Sequence, residues 1–549
     1  MNQYLVIHNG AVFDGTTYRK NQSAVAIHSG KIVAVGDERL VEDAPSGAQF
    51  INAHGGLIMP GFVDAHVHPI EGGLDRLRCD LTAGNSREDY LKLITEYSRT
   101  HPQAQWVLGG GWKLAAFPGG TPRASDLDAI EPSRPVYLPN RDHHSSWVNS
   151  AALEIAGINR DTPDPEDGRI ERDALGNPTG TLHEGAVNLV KKFIPKDTDD
   201  ERYEALLEAQ RYFHSFGITA WQDAIVGEYG GHSDTRQIYQ RADDNGLLTA
   251  RVTAALWWYR EQGLGQIDSL RAQRDEYSSN KFTASTVKIM QDGVPENHTA
   301  ALLEPYISHD CQCVGDHRGI SMVTREELRE IVPLLDEDDW QIHIHAIGDR
   351  AVRDSLDALE GALAVNGVTD NRHQLAHLQI VHPDDIPRFA QLHVAANMQM
   401  LWATNEPQML ELNTPVLGPQ RSAWQYPFRS LWKAGTRLAA GSDWPVTTPN
   451  PWEAIHVAVN RTLVSSAVDY NAEPFYPEQA IPLEVALAAY TSGSSWVTHD
   501  EHAGLLAPGM RADICVTDRN PFAVRNDEIG EIRNVFTMVD GEIVYLSQG

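Results

Sequence analysis

Five short stretches of this chain concentrate residues able to hold a metal ion. In FVDAHVHP, His66 and His68 lie two apart. On a strand, side chains two apart share one face, and two imidazoles on one face at a strand end can bind one divalent ion. Asp64 has the same parity and could hydrogen-bond a ligand from behind. QIHIHAIGDRA puts His345 at the end of an apolar run, HQLAHLQIVHP puts His377 within another, and AAGSDWPV puts Asp443 just past a third. An H-x-H pair alone is as readily two incidental surface histidines. Four imidazoles and a carboxylate, spread over the ends of four apolar runs, point instead to one site that activates water. Lys288, in TVKIMQDG, is the less obvious member. Its run reads as buried, lysine is rarely buried without a reason, and a buried amine can lose its proton and attack carbon dioxide or a carbonyl. A carbamylated Lys288 is a carboxylate able to bridge two ions. The competing readings are an ion pair with Asp292, which has the same strand parity, and an amine that snorkels to the rim.

Such residues need a scaffold that brings the ends of separate strands to one place. Eight apolar runs recur, from GLIMPGFVDAHVH through ITAWQDA, RVTAALWW, TVKIMQDG, QIHIHAIG, HQLAHLQIV and HVAANMQM to RLAAGSDWPV. Helical patterns separate several of them, such as REELREIVPLLDEDD and DRAVRDSLDALEGALAVN. Strand-helix alternation implies a parallel sheet with helices outside. Eight repeats match an α/β fold, a TIM-like (β/α)8 barrel, whose strand C-termini share one rim where active sites are built. The first and second runs are separated by far more chain than a βα connection needs, so residues 76–204 are expected to form an inserted subdomain, rich in Gly, Pro and Trp. The barrel is then 57–75 and 205–489. Both chain ends read as hairpins around Asn-Gly, Ser-Gly and Asp-Gly turns. Neither end is long enough to stand alone, so 1–56 and 490–549 are expected to form one composite β-sandwich.

Formal net charge is −30, from 45 basic and 75 acidic residues. That argues against nucleic acid and anionic membranes as partners and does not identify a substrate; a small-molecule substrate is expected on other grounds, and a homodimer stays open. The start of the chain lacks the basic and apolar regions of a secretory signal, and no apolar run approaches a membrane span. Four cysteines in 549 residues make no disulfide framework. The isolated Cys311-x-Cys313 reads as ordinary thiols. A cytoplasmic location is expected.

FVDAHVHP, TVKIMQDG, HIHAIGDRA, LAHLQIVHP and GSDWPV, in this order, resemble the amidohydrolase superfamily. HAIGDRAV, AHLQ, VNSAALEIAGI and GSDWPV resemble one branch of it, amidohydrolase family 3, which includes N-substituted formamide deformylase. The resemblance runs from PGFVDAHVH to LAPGMRADICV. It implies the same barrel and composite sandwich, one or two divalent ions with zinc foremost, and His66, His68, Lys288, His345, His377 and Asp443 as ligands. It also implies cleavage of a C–N bond in an N-substituted amide, formamide or carbamate by metal-activated hydroxide. Cyclic amides or esters, or a non-catalytic metal-binding protein, are the competing readings. In a two-ion arrangement His66, His68 and Asp443 hold one ion and His345 and His377 the other, with Lys288 between. In a one-ion arrangement His66, His68, His345 and Asp443 surround the ion, and His377 polarises the carbonyl. Asp443 moves the proton in both. Glu184, in GTLHEGA, matches a recurrent family glutamate and is an alternative ligand to Lys288. His144 matches a family histidine, with His143 standing where the family has glycine. His144, Glu296, His298 and Trp112 are expected to contact substrate, and Trp444 is a further candidate for an apolar wall.

Overall fold

In the computed structural model, residues 4–141, 145–165, 168–229, 233–307 and 316–547 are described. Two compact units emerge, one of residues 1–68 with 210–549 and one of residues 69–209.

The larger unit holds eight parallel strands. They are β1 (Phe62–Val67), β2 (Ile218–Val226), β3 (Arg251–Trp257), β4 (Phe282–Met290), β5 (Gln341–Ala346), β6 (Gln374–His377), β7 (Ala395–Met398) and β8 (Leu438–Ala440), hydrogen-bonded side by side in chain order. Each of the eight apolar runs supplies one strand. β8 returns beside β1: the Asp443 N–H donates to the His66 carbonyl at 2.8 Å and the Ser442 N–H to Asp64 Oδ1 at 3.0 Å. Gly441 permits that approach, because a Cβ there would lie 2.6 Å from the His66 backbone nitrogen. The result is a nearly closed TIM-like barrel. Helices such as Arg325–Glu337 and Asp349–Asn366 follow strands. The first of these starts in a capping box, with Thr324 and Glu327 satisfying each other's backbone N–H groups.

The same unit contains two sheets made from the chain ends. A four-stranded sheet orders Lys31–Gly36, Ala24–His28, Tyr4–His8 and Gln49–Asn52. A five-stranded sheet orders Ala11–Val12, Leu57–Pro60, Ile514–Thr517, Asn534–Val539 and Glu542–Leu546, so N- and C-terminal strands pair directly. Ile7, Val25, Ile27, Ile58, Ile514, Val516 and Phe536 share one core. The Asp-Gly turn is as the sequence suggests: Asp540 and Gly541 both have positive φ between the paired residues Val539 and Glu542, as a type I′ hairpin requires. Two expected boundaries shift. Leu57–Pro60 pairs with Ile514–Thr517 and not with a barrel strand, so the barrel begins at Phe62. Ser494 bonds the backbone of Ala440 in β8, so the helical stretch after residue 490 packs on the barrel, not in the sandwich.

The second unit carries a six-stranded sheet ordered Gly168–Arg172, Pro178–Glu184, Ser145–Val148, Val136–Pro139, Val107–Gly110 and Cys79–Asp80. Its own apolar clusters, one around Trp112 and Trp147 and one around Val148 and Leu182, show that it buries a core by itself. Among the described residues no helix is long and apolar enough to cross a membrane. Cys79 and Cys515 are buried and unbridged; Cys311 and Cys313 lie outside the described residues.

Candidate metal centre

Barrel strands alternate inward and outward residues, and the inward ones of β1, β4 and β5 include several of the expected site residues. On β1 the inward set is Asp64 and His66, with His68 just beyond; on β4 it includes Thr286 and Lys288; on β5 it is Gln341, His343 and His345. Lys288 and His343 are register partners, as are Ala346 and His377.

At the rim, His68 Nε2 lies 3.0 Å and His66 Nε2 3.4 Å from Asp443 Oδ1. One ligand atom from each of these three residues lies within 4.8 Å of the other two. His377 adjoins the group, its ring centroid 4.7 Å from that of His66 and 4.4 Å from that of His345. Trp402 stacks on the His377 ring, nearly parallel at 5.3 Å. His377 and Asp443 both sit in the left-handed backbone region, with φ of 77° and 56°. A non-glycine residue held there is strained, and such residues cluster at functional sites.

Two buried aspartates anchor parts of this group from behind. Asp64 Oδ1 accepts from the N–H groups of His66 and Ser442, which ties the end of β1 to the turn after β8. His345 Nδ1 lies 3.2 Å from Asp292 Oδ1, and Asp292 also accepts the N–H groups of Ala301, Ile347 and Gly348. Asp292 is thus committed to His345 and three backbone groups, and among the described residues no ion pair joins it to Lys288. Lys288 as a whole residue is 1% exposed, so its amine does not snorkel to solvent.

Burial, then the Lys288 charge, holds His66 well below the ordinary histidine range. Burial, then neighbouring His345 and His66, does the same for His377. Neutral imidazole is the form that binds metal. Burial opposes the charge on Asp443, but the hydrogen bond and charge of His68 prevail and keep it below the usual carboxylate range. Burial pulls Lys288 down to about 7 against the attraction of Asp443. It pushes Asp64 up to about 7, despite the bonds from Ser442. Both ring nitrogens of His377 are buried without a hydrogen-bond partner. Buried polar atoms are almost always satisfied, so this neutral, orphaned imidazole beside His66, His68 and Asp443 fits a divalent ion.

The other expected site residues have surroundings of their own or lie outside the described residues. Glu296 and His298 sit in the loop after β4, where Glu296 accepts from Gln408 and His298 has φ of 58° and packs edge-on against Tyr306. Trp112 is fully buried in the second unit's core, its indole N–H donating to the Leu138 carbonyl, so that unit's packing accounts for it. Trp444 packs on Phe213 and Tyr212. Glu184 ends the strand Pro178–Glu184, with its side chain outside the description. His143 and His144 lie outside the described residues. Sequence reasoning missed His343, whose Nε2 lies 2.9 Å from His66 Nδ1. Its signal was its parity with His345 in QIHIH.

A parallel barrel with histidines and a carboxylate gathered at its strand ends defines a metal-dependent hydrolase. The comparisons agree. The model of the amidohydrolase family matches residues 49–545. The protein LONG AFTER FAR-RED 3 of Arabidopsis thaliana is 30% identical over 94% of this chain and 87% of its own. N-substituted formamide deformylase of Arthrobacter pascens is 28% identical over 96% and 95%. The crystal structure of a metal-dependent hydrolase from Pyrococcus horikoshii OT3 superposes with a TM-score of 0.73 at 25% identity, covering 95% of this chain and 99% of that one. The chain belongs to the amidohydrolase family and is a metal-dependent hydrolase of carbon–nitrogen bonds.

Proposed function

We propose that the chain hydrolyses an N-substituted amide, formamide or carbamate with zinc, and that His66, His68, Lys288, His345, His377 and Asp443 form the centre. The observation that carries the reading is the convergence of His66, His68 and Asp443 beside the orphaned nitrogens of His377. The likeness to a formamide deformylase supports the substrate class.

His66, His68 and Asp443 would hold one ion and His345 and His377 a second, with Lys288 as a further ligand. The depressed basicity of the Lys288 amine favours its reaction with carbon dioxide, which forms an N–C bond, releases one proton and leaves a carboxylate. Zinc held by these residues would supply Lewis acidity toward the carbonyl and a more acidic water near neutral pH. The residues do the rest. Asp443 accepts the proton that attacking water gives up and delivers it to the nitrogen as the C–N bond breaks. The products are an acid and an amine. Trp402 stacks on the His377 ring and restrains its rotation. Glu296 and His298, in the loop after β4, contact the substituent, and His144 is a further contact. The buried, unbridged Cys79 and Cys515 suit the cytoplasm.

The test is a panel of formamides, other N-acyl amines, carbamates and cyclic amides offered to protein stripped of metal and reloaded with Zn2+. Turnover of a linear N-substituted member is expected, lost on chelation and in His66→Ala and His68→Ala with the fold retained. Lys288→Ala should be inactive and partly rescued by short-chain carboxylic acids. Zinc binding with no chelator-sensitive turnover across the panel would replace this reading with that of a metal-binding protein.

A further inference from the structure

The barrel interior beneath the metal centre is filled by amide side chains, and their hydrogen bonds have a direction. Gln341 Nε2 donates to two backbone carbonyls, those of Arg372 at 2.9 Å and Val497 at 2.6 Å. A carbonyl can only accept, so Gln341 must turn its NH2 group there and its Oε1 toward Gln222. Gln222 therefore presents Nε2 to Gln341 Oε1, at 3.0 Å, and to Thr286 Oγ1, at 3.1 Å. Its Oε1 then faces His343 Nδ1 at 3.0 Å. An independent anchor gives the same answer. Asn397 Nδ2 donates to the Ala65 carbonyl and to Gln374 Oε1, both at 2.8 Å, which turns Gln374 Nε2 onto Gln222 Oε1, also at 2.8 Å.

Both chains leave Gln222 Oε1 as an acceptor, so His343 carries its proton on Nδ1 and offers a lone pair at Nε2. The partner of that lone pair, 2.9 Å away, is His66 Nδ1. His66 must then be protonated at Nδ1, which leaves its Nε2 bare and turned to Asp443. Free histidine side chains favour the opposite tautomer, with the proton on Nε2. We infer that the relay from the carbonyls of Arg372, Val497 and Ala65 through Gln341, Gln374, Gln222 and His343 locks His66 in the Nδ1–H tautomer and so pre-forms its metal-binding nitrogen. Gln222 and His343 are positioning residues: they act through His66 and touch no substrate. This rests on the reading above that His66 ligates through Nε2.

The test uses the full-length protein with 15N-labelled histidine, stripped of metal and titrated with Zn2+, with the tautomers read from long-range proton–nitrogen correlations. Before zinc is added, His66 and His343 should both be protonated at Nδ1; a His66 protonated at Nε2 overturns the relay. If Nδ1 is protonated but zinc shifts neither His66 nitrogen, the ligand assignment falls and the tautomer lock stands. Gln222→Met removes the acceptor at similar volume. It should leave His66 in mixed tautomers and weaken zinc binding by roughly 10–100-fold, and an unchanged tautomer with unchanged affinity overturns the inference. His343→Gln keeps an amide oxygen within reach of His66 and should retain zinc affinity within a few-fold, whereas His343→Leu should lose it as Gln222→Met does. Equal losses in the two His343 variants would show that the position only fills space. Should any variant fail to fold, the wild-type tautomer still decides.

Discussion

Asp292→Asn separates the part of the metal centre that holds the fold from the part that aims a ligand. The two oxygens of Asp292 take four donors: Oδ1 from His345 Nδ1 at 3.2 Å and the Ile347 N–H at 3.0 Å, and Oδ2 from the N–H groups of Ala301 at 2.9 Å and Gly348 at 2.8 Å. Asparagine has the same shape but one acceptor oxygen, so two donors must face an NH2 group whichever way it turns. With the amide nitrogen in the Oδ2 place, two buried backbone N–H groups lose their partner, at about 1–3 kcal/mol each. With the nitrogen in the Oδ1 place, only Ile347 loses its partner, because His345 can accept from the amide by moving its own proton to Nε2. The second orientation costs less, and it blocks the nitrogen that His345 would offer a metal. The variant should therefore fold with a stability loss of about 1–3 kcal/mol, read from the shift of its urea midpoint. Its zinc affinity, measured against a chromophoric chelator, should fall by roughly 10–100-fold, and turnover should follow. A variant destabilised by this amount that retains normal zinc affinity and turnover would show that Asp292 only ties the loops together. An unchanged midpoint would refute the hydrogen-bond count itself.

Asp443→Asn keeps a residue that tolerates left-handed backbone and leaves the fold nearly unchanged, yet it should lower turnover by about 10²–10⁴-fold; full activity in a destabilised variant would end its role as proton carrier. Removing residues 510–549 strips Ile514–Thr517, Asn534–Val539 and Glu542–Leu546 from the mixed sheet, leaves Leu57–Pro60 without its antiparallel partner and bares Ile7, Val25 and Ile58, so the truncated protein should be insoluble or melt well below the full chain, and an equally stable product would show independent ends. Asp336 accepts from His373, Asn366, Thr369 and Asn371. Burial raises its pKa, but these bonds more than reverse that, so it stabilises the fold above the unfolded carboxylate value and loses that contribution as pH falls through its lowered folded value. Asp336→Asn should be less stable than wild type at pH 7, with the gap closing below about pH 4; a gap constant from pH 7 to 3 would refute the assignment.

The eight barrel strands were legible because each is buried on both faces, and burial writes itself as an apolar run. The gathering of His66, His68 and Asp443 was legible because histidine and aspartate at the ends of such runs have no structural excuse. The pairing of the chain ends followed from turn chemistry: Asp540-Gly541 can only be a tight hairpin, and a lone hairpin must find a sheet. What the sequence hid was the polar filling of the barrel. Gln222, Gln341, Gln374 and Asn397 are ordinary surface residues by type, and only strand parity combined with closure of the barrel turns them inward. Leu57–Pro60 was misplaced for a related reason. It is as apolar as a barrel strand and is continuous with β1 in the sequence, and Gly61 is the only break between two sheets. Trp112 was drawn toward the substrate by its type, whereas large aromatic residues more often fill a core, as it does.

The anchors behind the ligands are not equivalent, and the difference follows from their chemistry. His345 is backed by a carboxylate, Asp292, whose charge makes the imidazole a stronger donor. His66 is backed by the neutral His343, which fixes a tautomer and adds no charge. Asp443 supplies the missing charge on that side directly, 3.0 Å from His68 Nε2. Each half of the centre thus has one carboxylate, in contact with the ligand set on one side and one imidazole removed on the other. In the proposed mechanism the direct carboxylate is the one that takes up a proton, because Asp292 is saturated by three backbone N–H groups and His345. Proton movement and structural restraint are in this way assigned to different aspartates, and the two asparagine variants should fail differently: Asp292→Asn through metal affinity and stability together, Asp443→Asn through turnover with the fold intact.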